Sequence, residues 1–155
     1  MLRKLIWVGV LLLVTAVSPA QHPPFFDEIQ TFKKADQQKM PPQGATLFVG
    51  SSSIRLWKSL AKDFPDLTVI NRGFGGSTLE HLLWYLDDVV LPYEPQQIVI
   101  YCGENDIATG TITPEQVLHR VQILMMKIRV AYPQVPVFFV SLRNPVYRVC
   151  NIWSR

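Results

Sequence analysis

The chain has 155 residues, with 48% apolar and 17% charged types, 12 prolines and 8 glycines. That composition excludes a disordered tail, a collagen-like repeat and a coiled coil, and the length suits one domain. The formal charge of +3 rests largely on Arg3 and Lys4 in the first twenty residues, which hold no acid, so the remainder gives no electrostatic case for a nucleic-acid partner.

Residues 1–20 open with a basic pair, continue with an apolar run from Leu5 to Val17, and close on Ser18-Pro19-Ala20. The run is short of the roughly 20 residues that span a bilayer and fits the apolar region of a secretory signal peptide. The expectation is an exported protein, periplasmic or extracellular, with no stable membrane span after cleavage near Gln21. Export permits disulfides. The two cysteines, Cys102 and Cys150, could form one bridge, but Cys102 ends an apolar run and two free thiols are the preferred reading.

Residues 21–44 are polar and proline-punctuated and read as an N-terminal extension with one short helix around 26–34. A domain is expected over 45–155. Thr46–Val49 is a strand, followed by Gly50 and three serines, then an amphipathic helix over 54–64. Leu67–Ile70 is a second strand, leading into Asn71-Arg72-Gly73-Phe74-Gly75-Gly76. The next helix starts at Ser77, which with Glu80 has the spacing of a capping box. Gln97–Tyr101 is a third strand ending at Cys102-Gly103. Thr113, Pro114 and Gln116 open a helix that runs to about Tyr132. Residues 135–142 make a fourth strand. Strands that are almost wholly apolar and alternate with helices indicate a parallel sheet covered on both faces.

Ligands of such sheets bind beyond the carboxyl ends of the strands, where strand order reverses. Three polar or glycine-rich loops fall there: Gly50-Ser51-Ser52-Ser53, Gly73-Phe74-Gly75-Gly76-Ser77 and Gly103-Glu104-Asn105-Asp106. Each holds a residue suited to acyl transfer. A serine at a helix start is a nucleophile candidate, a glycine lets a backbone N–H approach an oxyanion, and an asparagine amide supplies another donor. One such donor is worth about 2.7–4 kcal/mol of transition-state stabilisation. Ser53 reads more simply as a helix cap, Ser51 as a packing serine, and Asp106 as a residue that fixes its own loop. Arg55 and Trp57 could line a substrate groove, although Trp57 falls on the apolar side of its helix. No Gly-Lys-Ser/Thr follows Gly50, which excludes a phosphate-binding P-loop.

These loops resemble the first three sequence blocks of the SGNH (GDSL-type) hydrolases, serine esterases and acylhydrolases with a flavodoxin-like fold. The stretch FVGSSSIRLW is most similar to the branch of platelet-activating-factor acetylhydrolase-like proteins and carbohydrate esterases. The resemblance implies a three-layer α/β/α sandwich, Ser52 as nucleophile, and Gly76 and Asn105 with the Ser52 N–H as oxyanion hole. It implies a small-molecule, carbohydrate or lipid ester as substrate, and neither a cofactor nor a metal. Ser51 stands where many members carry Asp.

The family's base comes from a later Asp-x-x-His, which this sequence lacks. The histidines are His22, His81 and His119, and no Asp follows Asp106. On a helical wheel at about 100° per residue, His81 and His119 fall opposite the apolar stripes of their helices. Neither is expected to reach the strand ends, and the scattered histidines make no metal site. Residues 45–155 therefore read as an SGNH-like domain that is incomplete at its C-terminal side. An esterase and an inactive ligand-binding module both remain open, and a nucleotide-binding flavodoxin-like protein is disfavoured. A second stripe, Ile123, Met126 and Val130, is either covered by another element or a partner surface.

Overall fold

A computed structural model describes residues 22–140. Residues 1–20, read above as a signal peptide, lie outside the described residues, as do Leu142 and Cys150. The elements follow in the order α1 (Phe26–Gln38), β1 (Thr46–Gly50), α2 (Ser52–Arg55), α3 (Leu60–Asp63), β2 (Val69–Gly73), α4 (Leu79–Trp84), α5 (Leu86–Val89), a 3₁₀ turn (Leu91–Tyr93), β3 (Gln97–Tyr101), α6 (Glu104–Ala108), α7 (Pro114–Ala131) and β4 (Val137–Phe139). All strand pairings are parallel, in the order β2-β1-β3-β4. Order reverses between β1 and β3, as the flavodoxin-like expectation requires.

The two sheet faces are unequally covered. Leu47 and Val49 of β1, Ile70 of β2, Ile98 and Ile100 of β3 and Val137 of β4 form the main core with Leu82, Val89, Val121, Leu124 and Ile128. Its covering layer comes from α4, α5 and α7, and the Val117, Val121, Leu124 and Ile128 of α7 recur at the three- and four-residue spacing of one helical face. On the other face, Phe48, Ile54 and Leu60 make a small cluster with Trp57, Phe64, Val69, Val99 and Tyr101. Farther along that face Phe138 and Val140 stay about half exposed.

Several expected elements shift. The helix expected over 54–64 is two single turns, because the Asp63 carboxylate accepts from both the Ser59 hydroxyl and the Trp57 indole and holds the intervening chain in a turn. Ser53 is not the helix cap, since α2 starts at Ser52 with Ser51 flanking it. β2 runs to Gly73 rather than Ile70, drawn on by its register against β1, which pairs Phe48 with Asn71 and Gly50 with Gly73. Ser77 does not cap the following helix. Its hydroxyl turns inward to the carbonyls of Gly50 and Phe74, and Thr78 and His81 form the capping box instead. The box at Thr113 and Gln116 forms as expected.

The helix near the start is longer than expected and belongs to the domain. Ile29 is 1% exposed within the main core. The Arg72 guanidinium pairs with Asp36, donates to the Tyr93 hydroxyl and lies over the Phe32 and Tyr93 rings. Burial, with the Asp36 hydrogen bond, pushes the Tyr93 phenol up to about 12.

Candidate active site

Ser52, Gly76 and Asn105 all sit past the carboxyl ends of parallel strands, in the loops after β1, β2 and β3. These loops are bound to one another by named contacts. The Phe74 N–H and the Ser77 hydroxyl donate to the Gly50 carbonyl, at 3.0 and 3.3 Å. The Ser51 N–H donates to the Tyr101 carbonyl at 3.1 Å, and the Asn105 amide donates to the Ser77 carbonyl at 2.9 Å.

Gly50 is irreplaceable for a steric reason. A Cβ there would fall 1.9 Å from the Tyr101 carbonyl oxygen, and φ is 144°. The close approach of β1 to β3 at this point is what aims the chain into Ser51 and Ser52. Ser51 is buried, as a packing serine should be, and Ser52 is partly exposed at the first position of α2. The N–H groups of a first helical turn have no carbonyl within the helix to bond, so the Ser52 N–H is available to an anion. Among the described residues no side chain is hydrogen-bonded to the Ser52 hydroxyl.

Gly76 has φ 74°, the left-handed region that favours glycine, and a Cβ there would meet nothing within 4 Å. The backbone conformation demands glycine while the space beside it stays open. Asn105 is half-buried on α6. An amide has two N–H donors, so one on Ser77 leaves one for a ligand.

Asp106 fixes a neighbouring loop rather than its own. It is fully buried, accepts from the Leu79 N–H at 2.9 Å, and pairs with Arg120 at 2.7 Å. Arg120 also reaches Glu80 at 3.0 Å. Consecutive residues Asn105 and Asp106 thus grip the 76–79 segment at Ser77 and Leu79, and α7 closes the grip through Arg120. Sequence reasoning missed Arg120, since nothing local marks one basic residue on a long amphipathic helix.

The histidines are placed for other work. His81 is not turned away as the wheel implied. Its ring folds back to the start of α4, where Nδ1 accepts the Thr78 N–H at 3.1 Å, and it packs against Phe25 and Trp84. Accepting at Nδ1 places the proton of the neutral ring on Nε2, which then cannot take another. Burial lowers the His81 pKa. His119 is exposed, and His22 stacks on Phe26. The Cys102 thiol is free, buried and pushed up to about 12 by that burial and by the Asp106 charge, so it is no nucleophile. No group of three or more His, Cys, Asp or Glu able to hold a metal occurs among the described residues.

No family model matches the chain. Platelet-activating factor acetylhydrolase IB subunit alpha2 of Homo sapiens is 31% identical over 103 residues, covering 62% of this chain and 42% of that protein. Subunit alpha1 of Mus musculus is 28% identical over 115 residues, covering 70% and 46%. The fold is that of a GDSL-like lipase from Bacteroides thetaiotaomicron, with TM-score 0.63 and 19% identity over 80% of this chain and 64% of that one. The chain resembles the SGNH (GDSL-type) hydrolases in sequence and in fold. A further fold match is the acetyl xylan esterase AlAXEase, with TM-score 0.52 and 22% identity over 61% of this chain and 56% of that one. The chain spans less than half the length of the curated relatives named here.

Proposed function

We propose that this chain carries the nucleophile and oxyanion-binding part of an exported SGNH-type serine esterase that hydrolyses acyl esters. Ser52 is the nucleophile, and the N–H groups of Ser52 and Gly76 with the Asn105 amide receive the oxyanion. The observation that supports this most is the Asn105–Ser77 hydrogen bond, which ties the loop after β3 to the loop holding Gly76. The Ser52 oxygen attacks the ester carbonyl and gives up its proton to a base, and the negative charge moves to the carbonyl oxygen. Collapse expels the alcohol, which takes a proton back, and water then releases the acyl group by the same route.

A serine hydroxyl is weak without an adjacent base. His81 is committed to Thr78, and the reading therefore includes a base on a segment carrying Asp-x-x-His, of the kind the resemblance implies. Small acyl groups such as acetyl are favoured by the names of the acetylhydrolase relatives and the acetyl xylan esterase. The test is p-nitrophenyl acetate hydrolysis by residues 21–155, alone and fused to such a segment. The esterase reading expects near-inertness alone and turnover when fused. Ligand binding with no turnover in either form would instead favour a non-catalytic module. Export is tested by N-terminal sequencing of protein recovered from periplasm or medium, which should begin near Gln21. Intact Met1 in a soluble cytoplasmic fraction would refute it.

A further inference from the structure

A groove of about 550 Å³ runs beside β2, between α1 on one side and the α2–α3 segment on the other. Its size is ordinary for a small-molecule site. Phe32, Trp57 and Leu60 give it apolar walls, and Glu28, Arg55 and Lys58 give it charge. The Trp57 indole is pinned by its N–H to the Asp63 carboxylate and by ring contacts with Phe48 and Phe64, so the wall is rigid. Arg55 and Glu28 are a loose pair at 3.7 Å, and Glu28 also accepts the Gly75 N–H at 3.2 Å. Lys58 is exposed and has no ion partner among the described residues. Among the lining residues two cations, Arg55 and Lys58, thus stand against one carboxylate, Glu28, beside an aromatic wall whose indole is bonded to Asp63.

Arg55 connects this groove to the catalytic loops. It lies three residues after Ser52, and side chains at that spacing are neighbours on a helix surface. Its guanidinium also rests on Gly75, where a Cβ would fall 2.7 Å from Nε, next to the Gly76 donor.

We propose that the groove binds the alcohol portion of the ester, and that this portion is amphiphilic, with apolar surface against Phe32 and Trp57 and an anionic group at Lys58. The proposal deepens the esterase reading and rests on it for the word alcohol, but the binding itself needs no turnover. The test is calorimetric titration of the 21–155 chain with mono-octyl phosphate, with octyl glucoside and octyltrimethylammonium as neutral and cationic probes, while the indole N–H resonances are followed by NMR. The phosphate should bind at least tenfold more tightly than either control and shift the Trp57 indole. Lys58→Glu should weaken it by tenfold or more, whereas Lys127→Glu on α7 should not. Equal binding of the three probes, an unmoved Trp57 resonance or an indifferent Lys58→Glu variant would overturn the groove. Groove binding combined with an inactive fused chain would leave the groove standing and remove the esterase reading.

Discussion

The two faces of the sheet do different jobs. The face under α7 is densely covered, and its core residues reach the strand ends through Phe74, Leu79 and Cys102. The face under α2 and α3 carries a small cluster, two single-turn helices and an open groove. Gly76, Asn105 and Asp106 are held from the covered side, through Leu79 and Arg120, while Ser52 and Arg55 stand on the thinly covered side. The proposed esterase role would use this division, with rigid donors next to an accessible serine, because preorganised dipoles need no reorganisation during reaction.

Substitutions can break this comparison, beginning where the largest effect is expected. Gly50→Ala should abolish folding, since its methyl would collide with the β3 backbone and nothing flexible can yield. Loss of the cooperative urea transition is the readout. Asp106→Ala should cost about 3–5 kcal/mol, the range for breaking a buried ion pair, because Arg120 and the Leu79 N–H lose their acceptor. Leu124→Ala, on the covered face, should cost about 2–5 kcal/mol, and Phe138→Ser on the open face no more than about 0.5 kcal/mol. Equal losses at Leu124 and Phe138 in urea titrations would remove the distinction between the faces.

Smaller effects sharpen it. Gly76→Ala meets no neighbour, so only its left-handed backbone resists, at about 1–2 kcal/mol. The last effect is pH dependence. His81 has its pKa lowered by burial, so its contribution is complete above the ordinary histidine value and lost as pH falls through the lowered one. Protonation would also remove the Nδ1 acceptor from Thr78. Stability measured from pH 7 down to 4 should therefore fall more for the parent chain than for His81→Gln.

The four strands in their order and the three loops were legible because buried parallel strands are continuous apolar runs and their ends are marked by glycine. Even so, β2 runs further than expected and β4 is only Val137–Phe139 within the expected 135–142. Gln97–Tyr101 and the Thr113 capping box needed nothing beyond local pattern. What local pattern could not supply was any choice decided by a distant partner. In sequence Ser77, with Glu80 three residues on, is the better cap, and the Gly50 carbonyl overrides that pattern by claiming the Ser77 hydroxyl, which leaves Thr78 as the cap. The wheel placed His81 correctly on α4 but could not foresee that its ring would fold back onto Thr78. Polar Asn71 and Arg72 looked like loop and became strand because Ile54 and Asp36, far away in sequence, accept their side-chain bonds.

The central claim is that Ser52 acts with donors held by Asn105 and the Gly76 loop. Its most direct test is the rate of p-nitrophenyl acetate hydrolysis by the fused chain carrying Asp-x-x-His, compared with its Ser52→Ala and Asn105→Ala variants. Ser52→Ala should lower kcat by a factor on the order of 10⁶, and Asn105→Ala by about 10²–10³, with KM little changed. A fused chain whose rate survives Ser52→Ala would contradict the claim. So would an unfused chain that turns over at an ordinary enzymatic rate and loses that rate in His81→Ala or His119→Ala.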